Sequence, residues 1–324
     1  MAKTEWKLFV NDPDKLEKDF YEKYDPDYWL YKIYLLKNSH DDYDKIKENL
    51  TGDLVDVIHE DYKRMIRTEL HFLYFQMIET LFELIFAISK FTRQEIWAAL
   101  TFSNKRNSPY YYDCYGNIRE LSHDRLKDPD LWAPVKIGGS GGNIEIPLIR
   151  WIFYDTFNIP EMSEEDWEIN LDNIYYFLRK FAKDFSDREE YNAYKHSLRF
   201  FNTQYAFGFA LKGSSNFFGR RTDNSIVYLA AEKNNNDSYS LKECSKAFDF
   251  KTDYNRCILI HDLISNIIIT RKAVICKPPL SSAVLTQSAM FHKHKKEDFE
   301  YKSFRVLDFS GFGKLLQGCF GVVA

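Results

Sequence analysis

The sequence predicts a mainly α-helical protein, a multi-helix bundle with an irregular insertion and a small β-hairpin. Three observations lead to this fold class. Apolar residues recur every three or four positions over long segments, above all between residues 53 and 91. Residues typical of helix N-termini stand before several of these segments. Of the 324 residues 45% are hydrophobic, including 27 phenylalanines and 22 tyrosines, which is enough apolar material for a large core.

The first predicted elements are helices. Residues 1–52 are expected to form an N-terminal helical arm, with a second short helix opening at Pro26, because proline is tolerated in a first helical turn. Residues 53–91 are expected to form one long buried helix. Its apolar positions are Ile66, Leu70, Leu73, Met77, Leu81, Leu84 and Ile88. Thr92 and Glu95 match a capping box and predict a further helix over residues 96–102.

The helical pattern disappears between about residues 104 and 147, which predicts an irregular or partly extended insertion. Its glycine-rich run, residues 138–142, lacks both the spacing and the lysine of a phosphate-binding loop. We expect a flexible loop there, since that composition describes flexible chain.

Helices return after the insertion. Residues 163–166 are expected to cap a short helix, and residues 171–184 to form a longer one. Ser186 and Glu189 match a second capping box, which predicts a helix running to Phe201. Two strand-like runs then predict a β-hairpin at about residues 225–250. A final helix is expected over residues 253–275, where Cys257, Ile260, Ile264, Ile267 and Val274 recur near helical spacing.

These elements predict three regions. Residues 1–52 form the arm, residues 53–276 form a helical core with insertions at about 104–147 and 225–250, and residues 277–324 form a C-terminal tail or arm. No internal repeat is visible in the sequence.

Charge and cysteine content restrict the function classes. The net charge of −4 and the pI near 6.1 provide no overall attraction to nucleic acid or lipid, so polyanion binding would need a local patch. The five cysteines are scattered without a CxxC pair, which fits a reducing compartment. The N-terminus lacks the apolar run of a signal peptide, and the apolar segments are broken by charged residues. A cytoplasmic protein without a membrane span is expected.

Two helix faces are candidates for a functional site. The first, in the helix opened by Ser186, carries Arg188, Asn192, His196 and Arg199, with Lys195 at its edge. The second, in the long helix, carries Arg64, Arg67 and His71. Guanidinium groups beside an imidazole suit a phosphate and a proton transfer. The alternative is ordinary helix surface, with His71 a satisfied, partly buried histidine.

The spacing of Arg64 and His71, with six residues between them on a helix of an all-helical core, resembles the Arg-x₄₋₆-His motif of the HEPN (higher eukaryotes and prokaryotes nucleotide-binding) superfamily. The segment EYNAYKHSLRFF, residues 190–201, is similar to a helix of HEPN-like bacterial proteins. The resemblance covers roughly residues 55–275. It implies a metal-independent endoribonuclease, either a bacterial toxin or a phage-defence effector.

The resemblance also implies roles for residues. The histidines would move the proton of a ribose 2′-OH or of the leaving oxygen, and the arginines would neutralise charge on the phosphate. The residues assigned to this site are His71, His196, Arg64, Arg67, Arg188, Arg199 and Asn192. Its implied partners are RNA, a second copy of the chain in a homodimer, and an antitoxin or other protein.

A turn-rich stretch adds candidates for RNA binding. Phe217, Phe218, Arg220 and Arg221 would stack on and clamp single-stranded RNA together with Lys195, or would simply join a helix to the hairpin. No cofactor or metal is expected, because His292 and His294 have no carboxylate or cysteine at a ligand spacing. The alternative function is a non-catalytic helical module that binds or regulates a protein.

Overall fold

The structure is a computed structural model that describes residues 12–49, 59–91, 96–103, 105–139, 142–155, 163–195, 200–210, 217–233 and 239–276. The protein is mainly α, as predicted. The helices of the described residues are α1 (Pro13–Lys23), α2 (Asp27–Asp41), α3 (Tyr43–Asn49), α4 (His59–Phe91), α5 (Ile96–Phe102), α6 (Cys114–Ser122), α7 (Leu148–Tyr154), α8 (Glu164–Ser186), α9 (Glu189–Lys195) and α10 (Phe250–Cys276). The strands are β1 (Pro134–Gly139), β2 (Gly142–Pro147), β3 (Phe200–Ala210), β4 (Phe217–Lys233) and β5 (Tyr239–Ala247).

The strands form two antiparallel sheets, β1-β2 and β3-β4-β5. The predicted hairpin is confirmed as β4 and β5, but β4 begins at Phe217, so its predicted start near residue 225 is wrong. Strand β3 was not predicted. Its first two residues, Phe200 and Phe201, were assigned to the helix opened by Ser186, because Phe201 continues the helical spacing of Leu198. The aromatic residues of this segment equally suit a strand, and pairing with β4 decides in favour of the strand.

The helix predicted to run from Ser186 to Phe201 is much shorter. Ser186 is the last residue of α8, and its hydroxyl donates to the carbonyl of Ala182 at 2.8 Å, so the capping-box prediction is wrong. The next helix, α9, covers only Glu189–Lys195. The cap predicted at Ser163 is confirmed, since the Asp166 amide donates to the Ser163 hydroxyl at 3.1 Å. It opens the single helix α8 in place of the two predicted there.

The insertion between residues 104 and 147 contains more regular structure than its composition predicted. Asp113 caps α6 by accepting a hydrogen bond from the Gly116 amide at 2.9 Å. The glycine-rich run belongs to the β1-β2 hairpin, where Gly139 pairs with Gly142, so the described part of the run is extended and paired. Helix α7 follows at once. It lacks a periodic signal because six of its seven residues are buried.

The described residues form two compact units. Unit 1 is drawn from Met1–Pro26, Glu79–Ser186 and Ile260–Ala324, and unit 2 from Asp27–Ile78 and Asp187–Leu259. Helices α4 and α10 therefore contribute residues to both units.

Unit 1 is built around large buried aromatic side chains, among them Trp151, Tyr154 and Trp167. Each contributes roughly 1.5–3 kcal/mol or more by leaving water. Two side-chain hydrogen bonds connect helices of this unit. The Glu17 carboxylate of α1 accepts a hydrogen bond from the first amide of α5, at Ile96, over 3.1 Å. The Asn170 amide of α8 donates to the Tyr154 hydroxyl of α7 over 2.9 Å.

Unit 2 packs α9 against the first part of α4. The rings of Phe72 and Tyr194 stack with centroids 3.9 Å apart, and those of Phe75 and Tyr191 with centroids 5.4 Å apart. The Tyr194 hydroxyl donates to the Glu69 carboxylate at 3.2 Å. Stacked aromatic pairs contribute about 0.5–1.5 kcal/mol beyond the burial of their area, so these contacts fix α9 on α4.

Among the described residues one segment, Tyr62–Lys90 of α4, is long and apolar enough to cross a membrane by length and composition. Its most apolar 18-residue window is 72% buried inside the protein, as in the core helix of a globular domain. The cytoplasmic location expected from the sequence stays a prediction.

Candidate functional site

The two helix faces selected from the sequence lie in one compact unit. Helix α9 contributes Asn192 and Lys195, and the first part of α4 contributes Arg64, Arg67 and His71. The aromatic stacking described above brings the two helices into direct contact. Helices α4 and α9 are therefore neighbours, whereas the shared site assigned to their polar residues stays a prediction.

His71 lies in the interior of unit 2. The residue is 6% exposed, and its ring stacks on Phe248 with centroids 4.5 Å apart and meets Phe75 edge-on at 5.2 Å. Its Nδ1 donates to the Asp253 carboxylate at 2.7 Å. Its Nε2 lies 3.7 Å from a Glu190 oxygen, a distance that makes an ion pair and exceeds that of a hydrogen bond. Both ring nitrogens thus face carboxylates.

Glu190 is fully buried and also contacts a lysine. The Lys246 ammonium of β5 lies 2.8 Å from Glu190 Oε1. The same ammonium donates to the Asp187 carbonyl at 2.6 Å and to the Asp187 carboxylate at 3.1 Å. His71, Asp253, Glu190 and Lys246 therefore form a continuous chain of charges contributed by four elements, which we call the buried charge cluster.

The cluster changes the proton affinities of its basic members. Burial by itself lowers the pKa of His71, because it disfavours the imidazolium, but the hydrogen bond and charge of Asp253 and the charge of Glu190 outweigh this effect. The pKa of His71 is raised as a result. Burial likewise lowers the pKa of Lys246, and the neighbouring Glu190 and Asp187 reverse this, so the ammonium form is held.

The arginines of α4 are only partly available to a ligand. Arg67 Nε donates to His40 Nε2 of α2 at 3.1 Å, and the His40 ring stacks on Phe250 with centroids 4.1 Å apart. Arg64 is half-buried, and its carbonyl accepts a hydrogen bond from the Thr68 hydroxyl at 2.9 Å. Arg67 thus has a partner that the sequence did not predict.

Two of the polar residues of α9 that the sequence selected face water. Asn192 and Lys195 are exposed, whereas Arg188, just before the helix, is half-buried. The Lys195 ammonium lies over the Tyr191 ring, 4.4 Å from its centroid. His196 and Arg199 lie outside the described residues.

The four residues predicted to clamp RNA are not in a turn. Their backbones belong to β4, where they pair with residues of β3, so the turn-rich prediction is wrong for this stretch. The pairs are Phe217 with Ala210, Phe218 with Phe209, Arg220 with Phe207 and Arg221 with Ala206.

Glu190, Asp253 and Lys246 were missed as site residues. For Asp253 a signal exists, because it precedes Cys257, Ile260 and Ile264 at four, seven and eleven residues and so lies on the buried stripe of α10. Glu190 precedes the buried Tyr191 on a helix too short to display a period. Lys246 could be paired with Glu190 only from the tertiary structure, since 56 residues separate them.

A second constellation, in unit 1, has the residue types of a catalytic triad. On α10 the Ser265 hydroxyl lies 3.2 Å from His261 Nε2, and His261 Nδ1 lies 3.1 Å from the Asp262 carboxylate. Burial raises the pKa of Asp262, which favours its neutral acid over the carboxylate that a triad needs. The amides around Ser265 are mid-helix and donate to carbonyls one turn back, so this helix supplies no oxyanion donors. The arrangement is a local helix contact.

Within the described residues, no group of three or more histidine, cysteine, aspartate or glutamate side chains is arranged to hold a metal ion.

No protein-family model, no curated protein and no solved structure matches this chain. The likeness to HEPN proteins consequently depends on the residues of this sequence, and the function is inferred from the residues and their geometry.

Proposed function

We propose that the protein is a metal-independent endoribonuclease of HEPN type that binds RNA where α9 lies against α4. The observation that supports this proposal is the packing of these two helices through Phe72 and Tyr194. It places the polar residues of two distant sequence segments in one compact unit. They are Arg64, Arg67, Asn192 and Lys195.

The proposal assigns the proton transfer to His196. His71 is buried and held between two carboxylates, so its ring is not available to a ribose hydroxyl, and it serves as a positioning residue. His196 follows the last residue of α9 directly in the chain, next to the exposed Lys195.

In the proposed reaction His196 accepts the proton of the ribose 2′-OH while the 2′-oxygen attacks the adjacent phosphorus. The bond from phosphorus to the 5′-oxygen breaks, and the leaving oxygen takes up a proton. Guanidinium groups neutralise the charge that grows on the phosphate oxygens. The products are a 2′,3′-cyclic phosphate and a free 5′-hydroxyl.

A local basic site is required because the whole chain carries a net charge of −4. Lys195 is the exposed cation of α9 among the described residues. The proposal further includes the β4 residues Phe217, Phe218, Arg220 and Arg221 as contacts for single-stranded RNA. A homodimer, an antitoxin-like protein partner and a role as toxin or phage-defence effector belong to the same proposal.

The test is cleavage of total RNA by the full chain in EDTA, with the 3′ ends analysed for cyclic phosphate. We expect wild type to cleave and His196→Ala to lose activity by a factor of about 10²–10⁴, the usual contribution of a general acid or base. His123→Ala is the matched control, because His123 is an exposed histidine of unit 1 and should leave cleavage unchanged. RNA left intact by the wild-type protein would contradict the proposal.

One observation favours the second candidate function, a non-catalytic module that binds or regulates a protein. Helix α2 exposes Tyr28, Tyr31 and Leu35, which are 51%, 65% and 67% exposed. At spacings of three and four residues they form one apolar stripe along the helix, which we call the α2 stripe. Exposed apolar stripes of this kind are typical of protein-binding surfaces.

A further inference from the structure

The buried charge cluster joins four separate elements of unit 2. His71 belongs to α4, Glu190 to α9, Lys246 to β5, and Asp253 to the first turn of α10. Glu190, Asp253 and His71 are 0%, 2% and 6% exposed, so water screens these charges very little. Each group must therefore be balanced by its neighbours.

The charges of the cluster balance only when His71 is protonated. Asp253 and Glu190 supply two negative charges as carboxylates, and Lys246 supplies one positive charge. A neutral imidazole leaves one buried negative charge without a counterpart, whereas the imidazolium brings the cluster to neutrality. Leaving a buried charge uncompensated is strongly destabilising, so the folded unit selects the imidazolium.

Two further side chains of opposite charge contact the cluster, Arg256 at 27% exposure and Asp187 at 75% exposure. Arg256 Nη1 lies 3.9 Å from Asp253 Oδ1, and the Asp187 carboxylate contacts Lys246, so one further positive and one further negative charge lie at the more exposed margin. Among the described residues, further titratable groups near the cluster include Tyr228 of β4, Cys244 of β5, Cys257 of α10 and the exposed Glu189 of α9. For Tyr228 and Cys257 burial raises the pKa, so both stay neutral near pH 7.

We propose that protonated His71 is the electrostatic clamp that holds α9 on α4 and α10, so that raising the pH releases the clamp. This inference goes beyond the proposed function, because it concerns the stability of unit 2 and holds whether or not the protein cleaves RNA.

The sign of the pH effect follows from the direction of the shift. The pKa of His71 is raised in the folded chain relative to the ordinary value of 6.5 that an unfolded chain would have. The stabilisation is therefore fully present below about pH 6.5 and is lost as the pH rises through the higher folded pKa.

The test compares thermal unfolding of the full chain, from about pH 6 to about pH 9, for wild type and Glu190→Gln. We expect the midpoint of the wild type to fall by several degrees as the pH rises. In Glu190→Gln one negative charge of the cluster is removed. The charge of Lys246 then balances that of Asp253, so the cluster is neutral when His71 is neutral. We expect that variant to show a markedly smaller fall. Equal pH dependence in both proteins would overturn the proposal.

The protonation state of His71 can also be measured directly in the wild-type protein, so this second test does not depend on whether the variants fold. The ¹⁵N shifts of the imidazole nitrogens of the wild-type protein at about pH 7 distinguish imidazolium from neutral imidazole. Their titration should give a midpoint above the ordinary histidine value. His71→Gln identifies the signal, and the spectrum of Glu190→Gln should show it titrating at lower pH. A neutral His71 at about pH 7 in the wild type would refute the clamp.

Discussion

At the scale of single residues, the buried ion pair between Asp155 and Arg271 shows how unit 1 closes the end of α7. Arg271 Nη1 lies 3.0 Å from Asp155 Oδ2, and both residues are 3% exposed. The guanidinium also donates to the carbonyls of Trp151 and Ile152 and lies over the Trp151 ring, 3.9 Å from its centroid. One side chain thus supplies additional donors to the last turn of α7, where the Trp151 carbonyl also accepts from the Asp155 amide at 3.0 Å.

Asp155 also adopts a backbone conformation that favours glycine, with φ at 51°. We expect Asp155→Ala to lower the free energy of unfolding by about 3–5 kcal/mol, because it leaves the Arg271 charge buried without a counter-ion. Asp155→Gly removes the same carboxylate but also removes the backbone strain that a side chain has at positive φ. It should therefore be about 1–2 kcal/mol less destabilising than Asp155→Ala. Urea unfolding measures both variants.

Asp124 provides a matched control for this pair of variants. Its φ is also positive, at 59°, but its ion pair with Arg179 is exposed. Exposed ion pairs contribute roughly 0–1 kcal/mol, so Asp124→Ala should cost far less than Asp155→Ala. Similar costs at the two positions would show that the buried ion pair contributes little.

At the scale of elements, α6 begins with a cap that depends on a glycine. Asp113 accepts a hydrogen bond from the Gly116 amide at 2.9 Å. A Cβ on Gly116 would lie 2.3 Å from Asp113 Oδ2, closer than any real contact, so the carboxylate would have to leave the cap. The glycine thus makes the cap possible, although glycine inside a helix costs about 1 kcal/mol relative to alanine.

This geometry predicts that Gly116 and Asp113 are energetically coupled. In the wild-type background Gly116→Ala should change stability little, because the lost cap of about 1 kcal/mol offsets the gain in helix propensity of about 1 kcal/mol. In the background of Asp113→Ala the same change should stabilise by about 0.5–1 kcal/mol, since no cap remains to be lost. A double-mutant cycle by urea unfolding measures the coupling, and additive effects would contradict it.

At the scale of the whole molecule, α2 exposes more apolar surface than folding requires. Ile33 is the buried residue of this helix, at 0% exposure, while Tyr31 and Leu35 of the α2 stripe face water. Lys32 keeps the aromatic end of the stripe partly polar, with its ammonium 4.9 Å from the Tyr28 ring centroid. The α2 stripe is thus apolar surface that faces water.

The exposure of the stripe is testable without knowing a partner. We expect the double variant Tyr31→Ser, Leu35→Ser to unfold within about 0.5 kcal/mol of wild type, because surface substitutions have small effects. It should also bind less of a dye that detects exposed apolar surface. Ile33→Ala on the same helix is the contrast, with an expected cost of about 2–5 kcal/mol. A double variant as unstable as Ile33→Ala would show that the stripe is covered in solution.

Local patterns predicted the long helices α4 and α8. The apolar spacing from Ile66 to Ile88 predicted α4, and the cap at Ser163 predicted the start of α8, because both signals act within a few residues. Helix α7 and strand β3 were not predicted because their own residues carry no clear local signal. One is buried nearly all round, and the other has aromatic residues that suit a helix face or a strand equally well.

The sequence alone determined that this chain is mainly helical and that His71 shares a helix with Arg64 and Arg67, since residues one turn apart meet whatever the rest of the chain does. Only the tertiary structure decided what surrounds His71. Its carboxylates come from α9 and α10, 119 and 182 residues further along the chain. A local pattern carries no information about such a partner, because packing of the whole unit determines which charges share an interior. That packing gives His71 its raised proton affinity.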